Sequence, residues 1–165
     1  MTPEDRLKTL GLELPPAPAP VGSYVPVIQV GDLVYTSGQI PMRGGKLVAS
    51  GKVGSTLSIE QAGEAARVAV LNALAHTASA AGGLNNIVRI VRLGVYVNSS
   101  KGFTDQAKVA NAASDLLVQI FADAGRHVRA AVGAGELPLD SPVEIEMTAQ
   151  VSKRSGQAGQ SHNYI

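Results

Sequence analysis

From Val143 to Ala149 apolar and polar side chains alternate without interruption, with Val143, Ile145, Met147 and Ala149 on one side and Glu144, Glu146 and Thr148 on the other. Successive side chains of a strand point to opposite faces, so this run predicts a strand with one buried face. The stretch around Arg129 alternates likewise, with Arg129 opposite Val128, Ala130 and Val132. The two runs, joined through a glycine-rich segment and Leu137-Pro138, read as neighbouring strands. Residues 87–97 predict the longest strand, placing Ile87, Arg89, Val91, Leu93, Val95 and Val97 on one face and Val88, Ile90 and Tyr96 on the other. Two β-rich runs, 24–30 and 33–37, flank Gly31-Asp32 and predict a tight hairpin; Gly44-Gly45 predicts a second turn into a short strand, Lys46-Leu47-Val48.

Helices are marked by their ends. Ser58 with Gln61 three residues on forms a capping box, opening a helix that runs to about Ala81 and stops at Gly82-Gly83. It is apolar over most of its circumference, and its many alanines permit close approach to a sheet. Thr104 is read as the cap of a second helix reaching about Ala124, with Gly125 beyond its end. Thr2-Pro3-Glu4-Asp5 starts a short helix over residues 3 to about 10 that stops near Gly11, and the proline-rich run Leu14 to Pro20 forbids regular structure. The chain therefore divides into an added N-terminal segment, 1–21, a folded domain, 22–152, and a polar tail, 153–165, expected to be disordered.

Strands, helix, strand, helix, two strands make an α/β chain in which two crossovers place both helices on one face of a mixed sheet. The other face is left bare, with valine, isoleucine and alanine among its charges. Such a surface calls for a partner, and a closed homo-oligomer is the simplest.

Composition narrows the classes. Fourteen basic against thirteen acidic residues give a net charge of +1, and only 4% of residues are aromatic, so neither an electrostatic grip on nucleic acid nor a base-stacking platform is supported. The absence of cysteine removes disulfides, thiolate nucleophiles and thiolate metal sites. His76, His127 and His162 have no ligand-like spacing, so no metal is expected. Arg67, Asn72 and His76 interrupt the longest alanine-rich stretch before it reaches membrane-spanning length, and the first residues lack the pattern of a signal peptide, so a cytoplasmic protein without membrane contact is expected.

Arg129 is the candidate for chemistry. A planar guanidinium matches a carboxylate through two hydrogen bonds, and Ala131 and Gly133 leave room beside it. The alternative is an ion pair between Arg129 and a glutamate on a solvated sheet face.

Tyr24, the string Thr36-Ser37-Gly38-Gln39-Ile40-Pro41, Asn111, Arg129, Leu137-Pro138 and Glu144-Ile145-Glu146 together resemble the YjgF/Rid family of reactive-intermediate deaminases, over roughly residues 22 to 152. The resemblance implies a chorismate-mutase-like fold and a homotrimer with inward-facing sheets and clefts between subunits. It also implies hydrolysis, without a cofactor, of short-lived enamines and imines, chiefly 2-aminoacrylate and 2-iminopropionate, to 2-keto acids and ammonia. The ligands would be small imino, enamino or keto carboxylates.

Carried over by position, the carboxylate-binding arginine falls on Arg129 and the water-orienting glutamate on Glu144. The cleft serine and glycine fall on Ser37 and Gly38, the edge tyrosine on Tyr24 and the helix asparagine on Asn111. Glu146 shares the face of Glu144 and is the alternative base. Ser37 alternatively satisfies a turn, Tyr24 covers an edge, and Asn111 contacts a neighbouring loop. His127, two residues before Arg129, is either an acid/base or a solvated strand-edge residue.

The chain departs from the family where many relatives carry a cysteine, since Ala131 stands there. Gly133-Ala134-Gly135 is a more flexible run than usual, and the segment bearing Arg126 and His127 is about one residue longer. With the added front end, these mark a sub-branch. Two other readings stand beside the deaminase: an endoribonuclease or translation inhibitor, disfavoured by charge and aromatic content, and a non-catalytic trimeric binder of carboxylates.

Overall fold

The structure, a computed structural model, describes residues 1–17 and 22–153. The expectations for Pro18 to Pro20 and for the tail from Ser155 to Ile165 fall outside the described residues. In chain order the elements are α1 (Pro3–Thr9), β1 (Val27–Val30), β2 (Leu33–Thr36), β3 (Met42–Arg43), β4 (Lys46–Leu47), α2 (Ile59–Ala81), β5 (Ile87–Asn98), α3 (Gln106–Phe121), β6 (Val128–Ala134) and β7 (Val143–Val151). Single 3-10 turns lie at Leu84–Asn86, Ala122–Gly125 and Pro138–Asp140.

The main sheet runs β1-β2-β7-β5-β6; β5 and β6 are parallel and its other pairings antiparallel. The last strand thus lies in the middle, bonded to β2 on one side and β5 on the other. α2 packs on β7, β2 and α3, and α3 on β5 and β6, so both crossover helices cover one face. Between them and the sheet lie Leu74, Ile90, Leu93, Leu116, Leu117, Ile120, Ile145 and Met147, all at most 2% exposed. The helices approach closely because Gly63 has no side chain: a Cβ there would stand 3.2 Å from that of Ala112. Leu7 of α1 is itself buried in this core, and Leu12 and Leu14 pack against it.

The locally encoded features form as read. Thr2 caps α1, where Asp5 completes a capping box that the sequence reading left out, Ser58 and Gln61 close the box that opens α2, and Gly82 ends α2 in the left-handed conformation at φ 78°. Gly31, at φ 63°, makes the two-residue turn between β1 and β2. α3 differs: its cap position is Asp105 rather than Thr104, and the helix ends at Phe121, where the chain tightens into a 3-10 turn through Gly125. A Cβ at Gly125 would stand 2.8 Å from the backbone of Val118, so this turn packs directly on the helix end.

Two other expectations are corrected. β6 and β7 are not neighbours, because β5 lies between them. The connection from β6 does not turn back as a hairpin: the 3-10 turn at Pro138–Asp140, with Leu139 and Asp140 both at φ 57°, carries the chain past the end of β5. The simple alternation proposed for β5 also fails. Its pairing with β7 steps at Ile87/Arg89 and at Ile90/Arg92, so Val88 and Val91 are extra residues in two bulges. Each bulge shifts the phase by one, which buries Ile87, Ile90 and Leu93, three residues apart, before strict alternation resumes through Val95 and Val97.

The sheet face away from the helices is uncovered in the single chain. It carries Ile28, Tyr35, Val128 and Val132, the last three registered beside Thr148, Arg92 and Tyr96. Ile28 is 55% and Val128 66% exposed. No helix among the described residues is long and apolar enough to cross a membrane.

Candidate functional site

Register decides which way Arg129 points. It lies beside Leu93, a core residue, so its side chain leaves β6 on the helix side and meets α3. Ala107, Asn111 and Ser114 are four and three residues apart, which stacks them on one face of α3 over β6. The Nη1 of Arg129 donates to Asn111 Oδ1 at 3.1 Å and to Ser114 Oγ at 3.0 Å, and Nη2 donates to the Ala107 carbonyl at 3.4 Å. A guanidinium has five N–H groups, so among the described residues Nε–H and one Nη2–H remain unused, and these share an edge. That edge is a two-pronged donor for a carboxylate. Ala131, on the same side of β6, packs against the core below it.

His127 belongs to this group and is not the solvated edge residue considered above. It is half-buried, with Nδ1 2.6 Å from the Gly125 carbonyl and Nε2 3.0 Å from Ser114 Oγ. Burial holds its pKa below the ordinary histidine range; the bond to Gly125 opposes that effect and the nearby Arg129 charge reinforces it.

The two glutamates of β7 lie on the opposite, uncovered face. Glu146 is beside Gly94 and reaches over it to Arg92 Nη1 at 3.0 Å and the Tyr96 hydroxyl at 3.3 Å. The Arg–Glu pair foreseen for a sheet face therefore exists, but with Arg92 and Glu146 rather than with Arg129. Glu144 is different: it is half-buried, and among the described residues its carboxylate has neither an ion-pair nor a hydrogen-bond partner. Burial raises its pKa, and the charge of Glu146 raises it further. Its side chain rests on Gly38, where a Cβ would stand only 2.8 Å from Cδ and 2.9 Å from Cγ. Ser37 adjoins this point, its backbone N–H bonded to Pro26 O at 2.9 Å and its hydroxyl accepting from Gln39 Nε2 at 3.1 Å.

The sequence-predicted residues thus fall into two groups. Arg129, Asn111 and Ala131 are together on the helix side at the β6 edge; Glu144, Gly38 and Ser37 are together on the open face. Tyr24 lies just before β1, 47% exposed. The single chain does not unite Arg129 with Glu144, since β5 and the thickness of the sheet separate them. Ser114 and His127 are the functional candidates that sequence reading left out or set in solvent; the available signal was the three-residue spacing of Ser114 from Asn111. Among the described residues no three His, Asp or Glu side chains gather to hold a metal ion.

Comparison with known proteins agrees with this architecture. Residues 4–151 match the family described as "YjgF/chorismate_mutase-like, putative endoribonuclease". Protein TCP17 of Trypanosoma cruzi is 37% identical over 147 residues, 88% of this chain and 92% of that protein. The crystal structure of a protein of Shewanella oneidensis MR-1, named as a putative endoribonuclease, superposes with a TM-score of 0.88 at 38% identity, covering 92% of this chain and all of that one. The E. coli protein TdcF, solved with bound serine, superposes with a TM-score of 0.62 at 27% identity, covering 82% of this chain and 94% of that one. With its mixed sheet, two crossover helices and match across nearly the whole described chain, this protein belongs to the YjgF/chorismate-mutase-like family.

Proposed function

We propose that this protein hydrolyses reactive enamine and imine carboxylates of the 2-aminoacrylate and 2-iminopropionate type to 2-keto acids and ammonia. In this reading it acts as a homotrimer in which the Arg129 edge of one copy meets the Glu144 face of the next. The observation that carries the proposal is the complementarity of the two groups: an anchored guanidinium with a two-pronged edge, and a half-buried carboxylate, both unpaired among the described residues. Arg129 would bind the substrate carboxylate and fix the adjacent C=N bond. Glu144 would accept a proton from water as the water oxygen adds to the imine carbon. The nitrogen takes up the proton held by Glu144, and as the C–N bond of the resulting carbinolamine breaks its hydroxyl proton passes to the nitrogen, so ammonia leaves as the carbonyl forms. The bound serine of TdcF, an α-amino carboxylate, supports a seat for this ligand class.

A pyridoxal-phosphate dehydratase generating 2-aminoacrylate supplies the test. Added protein should accelerate release of pyruvate and ammonia, and Arg129→Ala should not. The endoribonuclease named for the family is the competing activity; the open face presents Glu144 and Glu146, which repel phosphate, and incubation with RNA is expected to leave it intact. RNA cleavage with no effect on 2-aminoacrylate would replace the proposal.

A further inference from the structure

Resting on the reading of Arg129 as a carboxylate seat, we propose that Ser114 and His127 position its guanidinium and make carboxylate binding there proton-linked, an anion on Arg129 being matched by a proton on His127. Ser114 Oγ is the joint, 3.0 Å from both Arg129 Nη1 and His127 Nε2. A carbonyl oxygen only accepts, so the contact with Gly125 O places a proton on His127 Nδ1. The neutral ring then accepts at Nε2 from the Ser114 hydroxyl. With its only proton committed to His127, Ser114 turns lone pairs toward Arg129 and holds Nη1, which directs the Nε and Nη2 edge outward.

Protonation of His127 reverses the middle bond. Nε2–H donates to Oγ, the serine hydroxyl keeps its proton but turns it away from the ring, and a second positive charge stands one hydroxyl away from the guanidinium. In the empty site the two cations oppose each other. A carboxylate on the free edge of Arg129 offsets that opposition, so ligand and proton favour each other and affinity rises as pH falls. The other charges nearby do not replace this coupling. Arg126 pairs with exposed Asp123 at 3.4 Å, and Arg89 of β5 donates to the Arg126 carbonyl at 3.2 Å. Arg92 is engaged with Glu146 on the open face, and Asp115 of α3 is exposed. Arg129 is the charge that acts on the ring.

Pyruvate, a stable 2-keto carboxylate, serves as the probe, titrated calorimetrically in buffers of different ionisation enthalpy between about pH 5 and 8, the histidine range. The wild type should take up a fraction of a proton on binding, and its affinity should rise about tenfold for each unit by which the ligand shifts the histidine. His127→Gln should bind pyruvate without that proton uptake, whereas Glu144→Gln should retain it. Ser114→Ala should weaken binding at every pH, and Ser114→Thr, which keeps the hydroxyl, should restore it. Binding without proton uptake, or uptake that survives His127→Gln and disappears in Glu144→Gln, overturns the proposal. Pyruvate binding that is indifferent to Arg129→Ala instead overturns the seat on which the proposal rests.

Discussion

A carboxylate serves as a base when it is poorly solvated and no cation engages it, and the glutamates of β7 differ in that respect. Glu146 is tied to Arg92 and Tyr96, whereas Glu144 is not so tied. Glu144→Gln is therefore expected to lower turnover by about 10²-fold, the range for removing a positioned base, and Glu146→Gln to be mild. Ammonia release in the coupled assay checks the ranking, and the reverse order would move the base two residues along the strand. Because burial raises the Glu144 pKa, its basic form is lost above the usual glutamate range; kcat/KM should fall there on the acid side, and that limb should vanish in Glu144→Gln. Gly38→Ala should displace the Glu144 side chain, the flexible partner in that contact, reducing turnover with little change in melting temperature. His76 gives a stability prediction. It is 3% exposed, its Nε2 is buried without a hydrogen-bond partner among the described residues, and burial depresses its pKa. Above about pH 6.5 both folded and unfolded states are neutral; below it the unfolded chain takes a proton that the folded one resists, so stability falls with pH until the folded pKa is reached. Denaturant midpoints measured from pH 7 downward should decline less steeply in His76→Leu.

At the scale of elements, what could be read in advance was what neighbouring residues decide. The cap at Thr2, the capping box at Ser58, the glycine stop at Gly82 and the alternation of β7 each depend on a few adjacent positions. Ser58→Ala should lower stability by about 1 kcal/mol, read as a shifted urea midpoint with an unchanged slope. The phase of β5 was not legible, because the bulges at Val88 and Val91 exist only against β7, more than fifty residues later. The adjacency of β6 and β7 failed for a similar reason: strands joined by a short connection read as neighbours until β5 is seen to occupy the gap. The site divides likewise. Arg129 and Glu144 stood out through motif strings, but their opposite faces follow from register with Leu93 and from strand order, and the bonds of Ser114 require α3 to lie over β6.

For the molecule as a whole, the uncovered face and the divided site lead to one expectation, an assembly of copies. Light scattering should give about three times the 17.0 kDa chain mass, and a monomer at micromolar concentration would remove the trimer from the proposal. If each cleft takes Arg129 from one copy and Glu144 from another, inactive Arg129→Ala and Glu144→Gln chains, unfolded together and refolded as a mixture, should regain activity in about a quarter of their clefts. No recovery would remove the cleft shared between Arg129 and Glu144 from the proposal. The position of β7 has a further consequence, for synthesis of the chain. β2 and β5 are both bonded to a strand made after either of them, so no stage before Val143–Val151 emerges can join the hairpin to the parallel pair. Completion of the sheet waits for β7, and until then the unpaired backbone edges of β2 and β5 stay open to chaperones or to other strands. A premature stop before Val143 would therefore not trim the domain but leave two fragments of sheet with nothing between them.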